Sequence, residues 1–297
     1  MLTYATLTDY ARVREIGAAG QAAHETAIFQ YLLKATDYID RQTLRAFFPY
    51  QEIKQFTVPM SYFDLANRAL TMHDLDCEAD LLEVLALTTG TGASETTLTT
   101  DDYYLLDFNL YPKYGIRLVW PNTWSGQYAS QALRSRYPQI FVDALWGFHD
   151  RYARAGFIDT QQVIPAAGLA LGGEDTVLTS ITGNAVDGLP AFEIGLLYRM
   201  GNELLTIKEL AISTGTVSWY RAQQGSEAAA YAAGVKIYRY SVPHSIRGIC
   251  VSAAKAFSDA DRTKGGRAGV SEVSTGVAIN LPEADRQLLR KLRRPLT

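Results

Sequence analysis

Two apolar stripes with helical spacing stand near opposite ends of this chain, and what lies between them reads differently. The first, Ile28, Leu32, Ala35 and Ile39, steps by four, three and four, with Phe29 and Leu33 alongside. Gln30, Lys34, Asp37 and Arg41 occupy its opposite side. The second, Ile246, Ile249, Cys250, Ala253 and Phe257, falls at i, i+3, i+4, i+7 and i+11. Gly248 inside this second helix costs roughly 1 kcal/mol relative to alanine. Close approach to the helix at 25–41 would explain it. The helical core is therefore expected to be discontinuous, residues 1–45 plus 243–260, with β-structure inserted between.

The N-terminal part begins with a short helix through Glu15, capped by Thr8 and ending near Gly17 and Gly20. After Phe47-Phe48-Pro49 a β-rich region runs over 46–160. Its strand candidates are Tyr50–Val58, Leu81–Leu87, a pair at Tyr103–Phe108 and Tyr114–Trp120, and Phe141–Phe148. Residues 161–190 are rich in glycine, alanine and threonine and read as a linker plus an edge strand. Strands at Ala191–Tyr198, Glu203–Leu210, Thr216–Arg221 and Val235–Tyr240 complete a small β-module over 161–242. Inside it, WYRAQQGSEAAAYAAGVKIYRY places alanines between two aromatic strands. The expectation is a tight connection at Gly225-Ser226, one helical turn over Glu227–Ala233, and a stop at Gly234. Small side chains would let that crossover lie close over the sheet.

Residues 261–297 read as a flexible arm carrying a C-terminal amphipathic helix. Pro282 suits a first helical turn. Glu283 and Asp285 sit near the helix's positive end, and Arg290, Lys291, Arg293 and Arg294 near its negative end. Leu281, Ala284, Leu288 and Leu292 line one face, with Leu289 beside them. A helix of about three turns is unstable alone in water, so it should fold against its own domain or against a partner. The fold class is α+β.

The net charge of −3 argues against a dominant nucleic-acid-binding surface. Asp9, Arg12 and Arg14 interrupt any signal-peptide apolar run, and no stretch is long enough to span a bilayer. Cys77 and Cys250 are too few and too far apart for a disulfide framework or zinc site. Cys250 lies on the helical stripe as a small buried hydrophobe, and a reducing cytoplasm is the expected place of synthesis.

Chemistry-bearing patterns are sparse. Asp74, Asp76, Glu78 and Asp80 alternate, but Ala79 and Leu85 stand where a calcium loop needs glycine and glutamate; the reading is a solvated acidic loop. His24, His73, His149 and His244 have no second histidine at ligand spacing, and His149 reads as a structural histidine at a strand end beside Asp150. TTGTGASETT lacks the P-loop lysine and reads as a turn. No G-x-S-x-G elbow occurs. Trp120, Trp124, Trp146 and Trp219 are read as core residues. No catalytic residue, metal ligand or cofactor is expected.

The order of segments, helices, then WGFHDRYA, ELLTI, WYRAQQGSEAAAYAAGVKIY, a helix, and GVSEVSTGVAINLPEADRQLLRKLRRP, resembles the head-to-tail connector, or adaptor, proteins of tailed bacteriophages. FQYLLKATDYIDRQTLRAFFPY is similar to their helix with an aromatic, proline-bearing exit to a strand. The most specific piece is Arg221, Gly225 and Ser226 followed by the alanine run, Gly234 and Tyr238. Tyr231 stands where histidine is often found and Gln224 where glycine or asparagine is commoner. The resemblance implies a non-enzymatic virion protein forming a ring, a dodecamer, below the portal, extending the DNA channel and joining head to tail. Implied partners are further copies, the portal, a downstream neck or tail protein, and passing DNA read without sequence specificity, with no membrane. Implied portal-binding residues are Leu281, Leu288, Leu289, Arg290, Lys291, Leu292, Arg293 and Arg294. Two alternatives stay open: a neck or tail-tube component not touching the portal, and a hydrolase using His149 or His244.

Overall fold

The computed structural model describes residues 1–57, 63–64, 69–70, 80–89, 96–106, 110–113, 115–118, 139–263 and 279–294. Helices and antiparallel sheets occur side by side, so the chain is α+β. It divides into two compact units. The first comprises residues 1–47, 153–223 and 227–297; the second comprises 48–152 with 224–226. The helical core and the β-module thus share one unit, and the first β-region forms the other.

In the first unit, helix α1 (Leu7–Val13) starts at Thr6. The cap is therefore Thr6 rather than the Thr8 that the sequence favours. Thr6 and Asp9 form a reciprocal capping box, in which each side chain accepts from the other's backbone N–H. Helix α2 (Ala18–Thr43) takes Gly17 as its N-cap and runs through Gly20. Its stripe Ile28, Leu32, Ala35 and Ile39 is buried, as the periodicity predicts. It packs against α4 (His244–Thr263), whose Ile246, Ile249, Cys250 and Ala253 are buried too. Cys250 Sγ lies 3.8 Å from Thr36 Oγ1, and the Tyr38 and Phe257 rings meet edge-on at 6.3 Å. Fully burying one such Leu or Ile side chain contributes about 1.5–3 kcal/mol. Gly248 does not mark the close approach. It is exposed, and a Cβ there would meet open space. The helices meet instead where Cys250 lies against Thr36 and the Leu32 carbonyl, and where Phe257 meets Tyr38.

The six-stranded antiparallel sheet of this unit has the order β10-β13-β12-β11-β14-β9. Its strands are β9 (Phe157–Val163), β10 (Asp175–Val177), β11 (Leu197–Met200), β12 (Glu203–Ala211), β13 (Thr216–Tyr220) and β14 (Lys236–Tyr240). In β13, Val217 and Trp219 are buried while Tyr220 faces solvent, the period-two signature of a half-buried strand. Phe192, Tyr198 and Trp219 form an aromatic cluster with centroids 5.4–6.2 Å apart. Three expectations change here. Strand β9 crosses the expected boundary at 160 and pairs with β14. Residues 161–190 do contain an edge strand, β10, but are no linker: Ile164, Leu169, Leu178, Ile181 and Ala185 belong to the sheet's core. The stretch at Ala191–Tyr198 becomes strand only at Leu197, because Ala191 and Phe192 are buried from a loop.

The second unit is built on a four-stranded sheet of order β1-β8-β4-β5, from β1 (Tyr50–Thr57), β4 (Leu81–Thr89), β5 (Thr96–Thr97) and β8 (Gln139–Trp146). Leu81, Leu87, Val142, Ala144 and Trp146 fill its core. Two small pairs accompany it, β2 (Phe63–Asp64) with β3 (Ala69–Leu70), and β6 (Tyr103–Leu105) with β7 (Ile116–Leu118). The short helix α3 (Tyr152–Ala155) stands where the chain passes from one unit to the other. The last helix, α5 (Glu283–Leu292), belongs to the first unit; Pro282 is its N-cap.

Candidate functional site

The alanine-rich connection that the sequence singles out is not a helix. Residues 227–230 are irregular, and Tyr231 makes a single antiparallel bridge to Leu169, each backbone N–H donating to the other's carbonyl at 2.8 Å. What overrides alanine's helix propensity is a buried ion pair. The Glu203 side chain is 0% exposed and that of Arg221 9%. Arg221 Nε donates to Glu203 Oε1 and Nη2 to Oε2, both at 2.7 Å, the two-pronged match of guanidinium to carboxylate. Nη1 donates to the carbonyls of Gly173 at 2.7 Å and Ala170 at 3.2 Å, and Nη2 also reaches the Ala229 carbonyl. Glu203 accepts from the backbone N–H of Ala222 at 3.0 Å and Ala229 at 3.1 Å. One pair therefore fixes the start of β12, the 170–173 loop and the alanine run. Ala229 satisfies its backbone N–H and carbonyl on this pair rather than in a helical turn.

The electrostatics agree. Burial pushes the Glu203 carboxyl up, but Arg221 and the two amides outweigh it and hold the group below its usual range. Hydrogen bonding to Glu203 raises Arg221. Tyr231, raised by burial and then by the Glu203 charge, donates its hydroxyl to Met200 O at 2.6 Å and lies under the Arg221 guanidinium, 5.8 Å from the ring centroid.

The other members of the expected motif have separate tasks. Gln224–Ser226 cluster with the second unit, where Gln51 N donates to Gln224 O at 2.7 Å. Gly225 has φ +80, and a Cβ there would stand 2.2 Å from Gln51 O, so glycine is required. Ser226 is buried. Gln224 itself adopts φ 54, the left-handed conformation that glycine or asparagine takes most readily. Gly234, φ +85, turns the chain into β14, on which Tyr238 is half-buried opposite Arg199 and Asp159. The five residues do not form one site.

The C-terminal segment is seated on its own unit. Leu281 and Leu289 are 1% and 4% exposed. Arg45 Nε donates to Leu292 O at 2.7 Å, and Arg294 N donates to Thr43 O at 2.9 Å. Thr43 closes α2, whose last carbonyls lack helical partners, so the returning chain satisfies one of them. The apolar face differs from the expected one: Leu289 is buried, Leu288 and Leu292 are half-buried and Ala284 is exposed. Leu281 and Leu289 are thus occupied within the chain. Arg290, Lys291 and Arg293 point into solvent. Residues 264–278, most of the expected flexible arm, lie outside the described residues, and α4 extends to Thr263.

Each described histidine has its own setting, and His149 Nδ1 lies 3.8 Å from Asp150 Oδ1. His149 and Asp150 are not on a strand, since β8 ends at Trp146. His149 is buried in the following turn, and its Nδ1 accepts from Arg151 N at 2.9 Å. His244 is exposed at the start of α4 and His24 is exposed on α2. His73, Cys77, Asp74, Asp76, Glu78, Trp120 and Trp124 lie outside the described residues; Asp80 is half-buried. Trp146 and Trp219 are fully buried core residues. Burial lifts the Cys250 thiol to about 12. Among the described residues, no cluster of His, Cys, Asp or Glu is arranged to hold a metal, and no helix is long and apolar enough to cross a membrane.

Sequence reasoning missed Glu203 as the partner of Arg221, and two further arginine clamps. Arg247 grips Asp9 with Nε–Oδ2 2.6 Å and Nη2–Oδ1 2.5 Å, and Arg239 binds Asp187 and the Pro190 carbonyl. An arginine or glutamate at an inward register position of a strand was the available signal, for Glu203 and Arg239 both fall where apolar residues belong. No protein-family model, curated protein or solved structure matches the chain.

Proposed function

We propose that this chain is a structural virion protein: a head-to-tail adaptor whose copies close into a ring beneath the portal, lengthen the DNA channel and join the capsid to the tail. The observation that carries the reading is the discontinuous helical core. Helices α2 and α4, from opposite ends of the chain, pack together, and the β-structure is inserted between them in the order that the adaptor resemblance implies. The role requires reproducible surfaces rather than chemistry, with a heterologous interface that closes around an axis. Arginine clamps at Glu203, Asp187 and Asp9 support it: the first two hold loops, and the third ties helix α1 to helix α4, so the surface is the same from copy to copy. The partners in this reading are further copies, the portal, a neck or tail protein, and passing DNA.

The test is genetic. Particles assembled without the chain should accumulate as separate DNA-filled heads and tails, and supplying the chain should restore joining. Tailed particles of normal yield without it would refute the adaptor role. Heads that still acquire this chain when the portal surface is blocked would move it to a neck position away from the portal.

A further inference from the structure

We infer that the outward face of α5 is a binding surface for the phosphate backbone of a nucleic acid. It would be carried by Arg290, Lys291 and Arg293, with Arg286 one turn earlier. The whole chain has 28 Lys and Arg against 31 Asp and Glu. Residues 283–294 hold five of the basic groups and two of the acidic ones, which leaves 23 against 29 elsewhere, a balance of −6. Positive charge is thus concentrated on one short helix of an otherwise acidic protein. Arg286 is paired with Glu283 at 3.0 Å, whereas among the described residues no carboxylate pairs with Arg290, Lys291 or Arg293. Complementing the helix dipole calls for a cation or two in the last turn. It does not explain Arg286 and Arg290 at i and i+4, where like charges repel.

The kind of partner follows from what the face lacks. A protein interface is organised around desolvated apolar and aromatic anchors, with lysine depleted. Here the apolar anchors Leu281 and Leu289 are already buried against the chain's own helices. What remains outside is charge on exposed, extended side chains. A polyanion needs no more than that, since neutralising phosphates releases condensed counterions. At 1.5 Å rise per residue, Arg286 to Lys291 spans roughly 7.5 Å along the helix, with Arg293 on the extended residue just past its end, enough to follow successive phosphates of one strand. The surface reads no sequence, because nothing in it is shaped to a base edge.

The experiment uses the full chain and a fluorescein-labelled DNA duplex of about 25 base pairs, followed by anisotropy across a salt series. With three phosphates engaged per helix, affinity should fall roughly 40-fold between about 50 and 200 mM salt. The triple variant R290Q/K291Q/R293Q should lose most of the binding and of its salt slope, with melting temperature and circular dichroism unchanged. Equal duplex binding by the variant and the parent would overturn the inference. So would polyglutamate of matched charge displacing the duplex as well as unlabelled DNA does, for that outcome marks an acidic protein as the partner. The inference does not depend on the adaptor reading: loss of head-to-tail joining tests the one, and duplex binding by the purified chain tests the other.

Discussion

Arg221 and the Arg290–Lys291–Arg293 group use the same chemistry for opposite ends. Arg221 is buried, its guanidinium donating to Glu203 and to the backbone carbonyls of residues 170, 173 and 229. Arg290 and Lys291 of α5 and Arg293 just past its end stand in solvent with no carboxylate among the described residues to hold them. A buried charge leaves nothing for a partner but fixes the surface that a partner meets. An exposed cluster fixes nothing and is available. The first unit thus contains both a buried pair that holds its loops and an exposed cationic group to which we assign a ligand.

The contrast breaks most sharply at the buried end. Arg221→Met strands the Glu203 carboxylate, and losing one partner of a buried pair costs about 3–5 kcal/mol. Denaturant melts should record that loss, while the double variant R221M/E203Q should recover part of it. Full additivity of the two single changes would show that the pair is not coupled. Leu289→Ala should cost about 2–3 kcal/mol, because its cavity opens beneath α5. Proteolysis should then begin in the C-terminal segment, and a melt shift below the measurement error would contradict the seating on α2.

A second comparison sets Glu203 against Asp40. Among the described residues no cation offsets the burial of Asp40, which accepts a hydrogen bond from Tyr4 and is lifted to about 6. Its folded-state value exceeds its unfolded one, so its contribution is present below about 4 and is lost as pH rises through 6. Glu203 runs the other way: its contribution is present above its ordinary value of 4.5 and is lost as pH falls through its lower folded value. Asp40→Asn should therefore remove a stability loss of about 1.3 kcal/mol between pH 5 and 7. An unchanged pH profile in that variant would rule Asp40 out as its source. The smallest stability effect belongs to R290Q/K291Q/R293Q, under about 0.5 kcal/mol. A larger loss would mean that these cations hold the fold rather than face a ligand.

How much of this was legible in the sequence depended on whether the signal was local. The stripes at Ile28–Ile39 and Ile246–Ala253 are periodic, and both helices formed where the pattern placed them. Alternation in β13 and the apolar run of β4 were equally readable. The alanine run misled because its conformation is decided by Glu203 and Arg221, the former well removed in sequence, and propensity gives way to a buried pair that needs its backbone. Gly248 misled for the converse reason, since a glycine on a helix can be exposed and idle. For the C-terminal helix, the leucines announced a docking face but not its partner. Only the bonds from Arg45 to Leu292 and from Arg294 to Thr43 reveal that its seat is the end of α2.

The most direct test of the central proposal is electron microscopy of the purified chain mixed with the portal protein of the same genome. The adaptor reading expects closed rings of this chain stacked coaxially on the portal, with the channel continuous through both. Portal rings that remain bare at saturating concentrations of a correctly folded chain would contradict it.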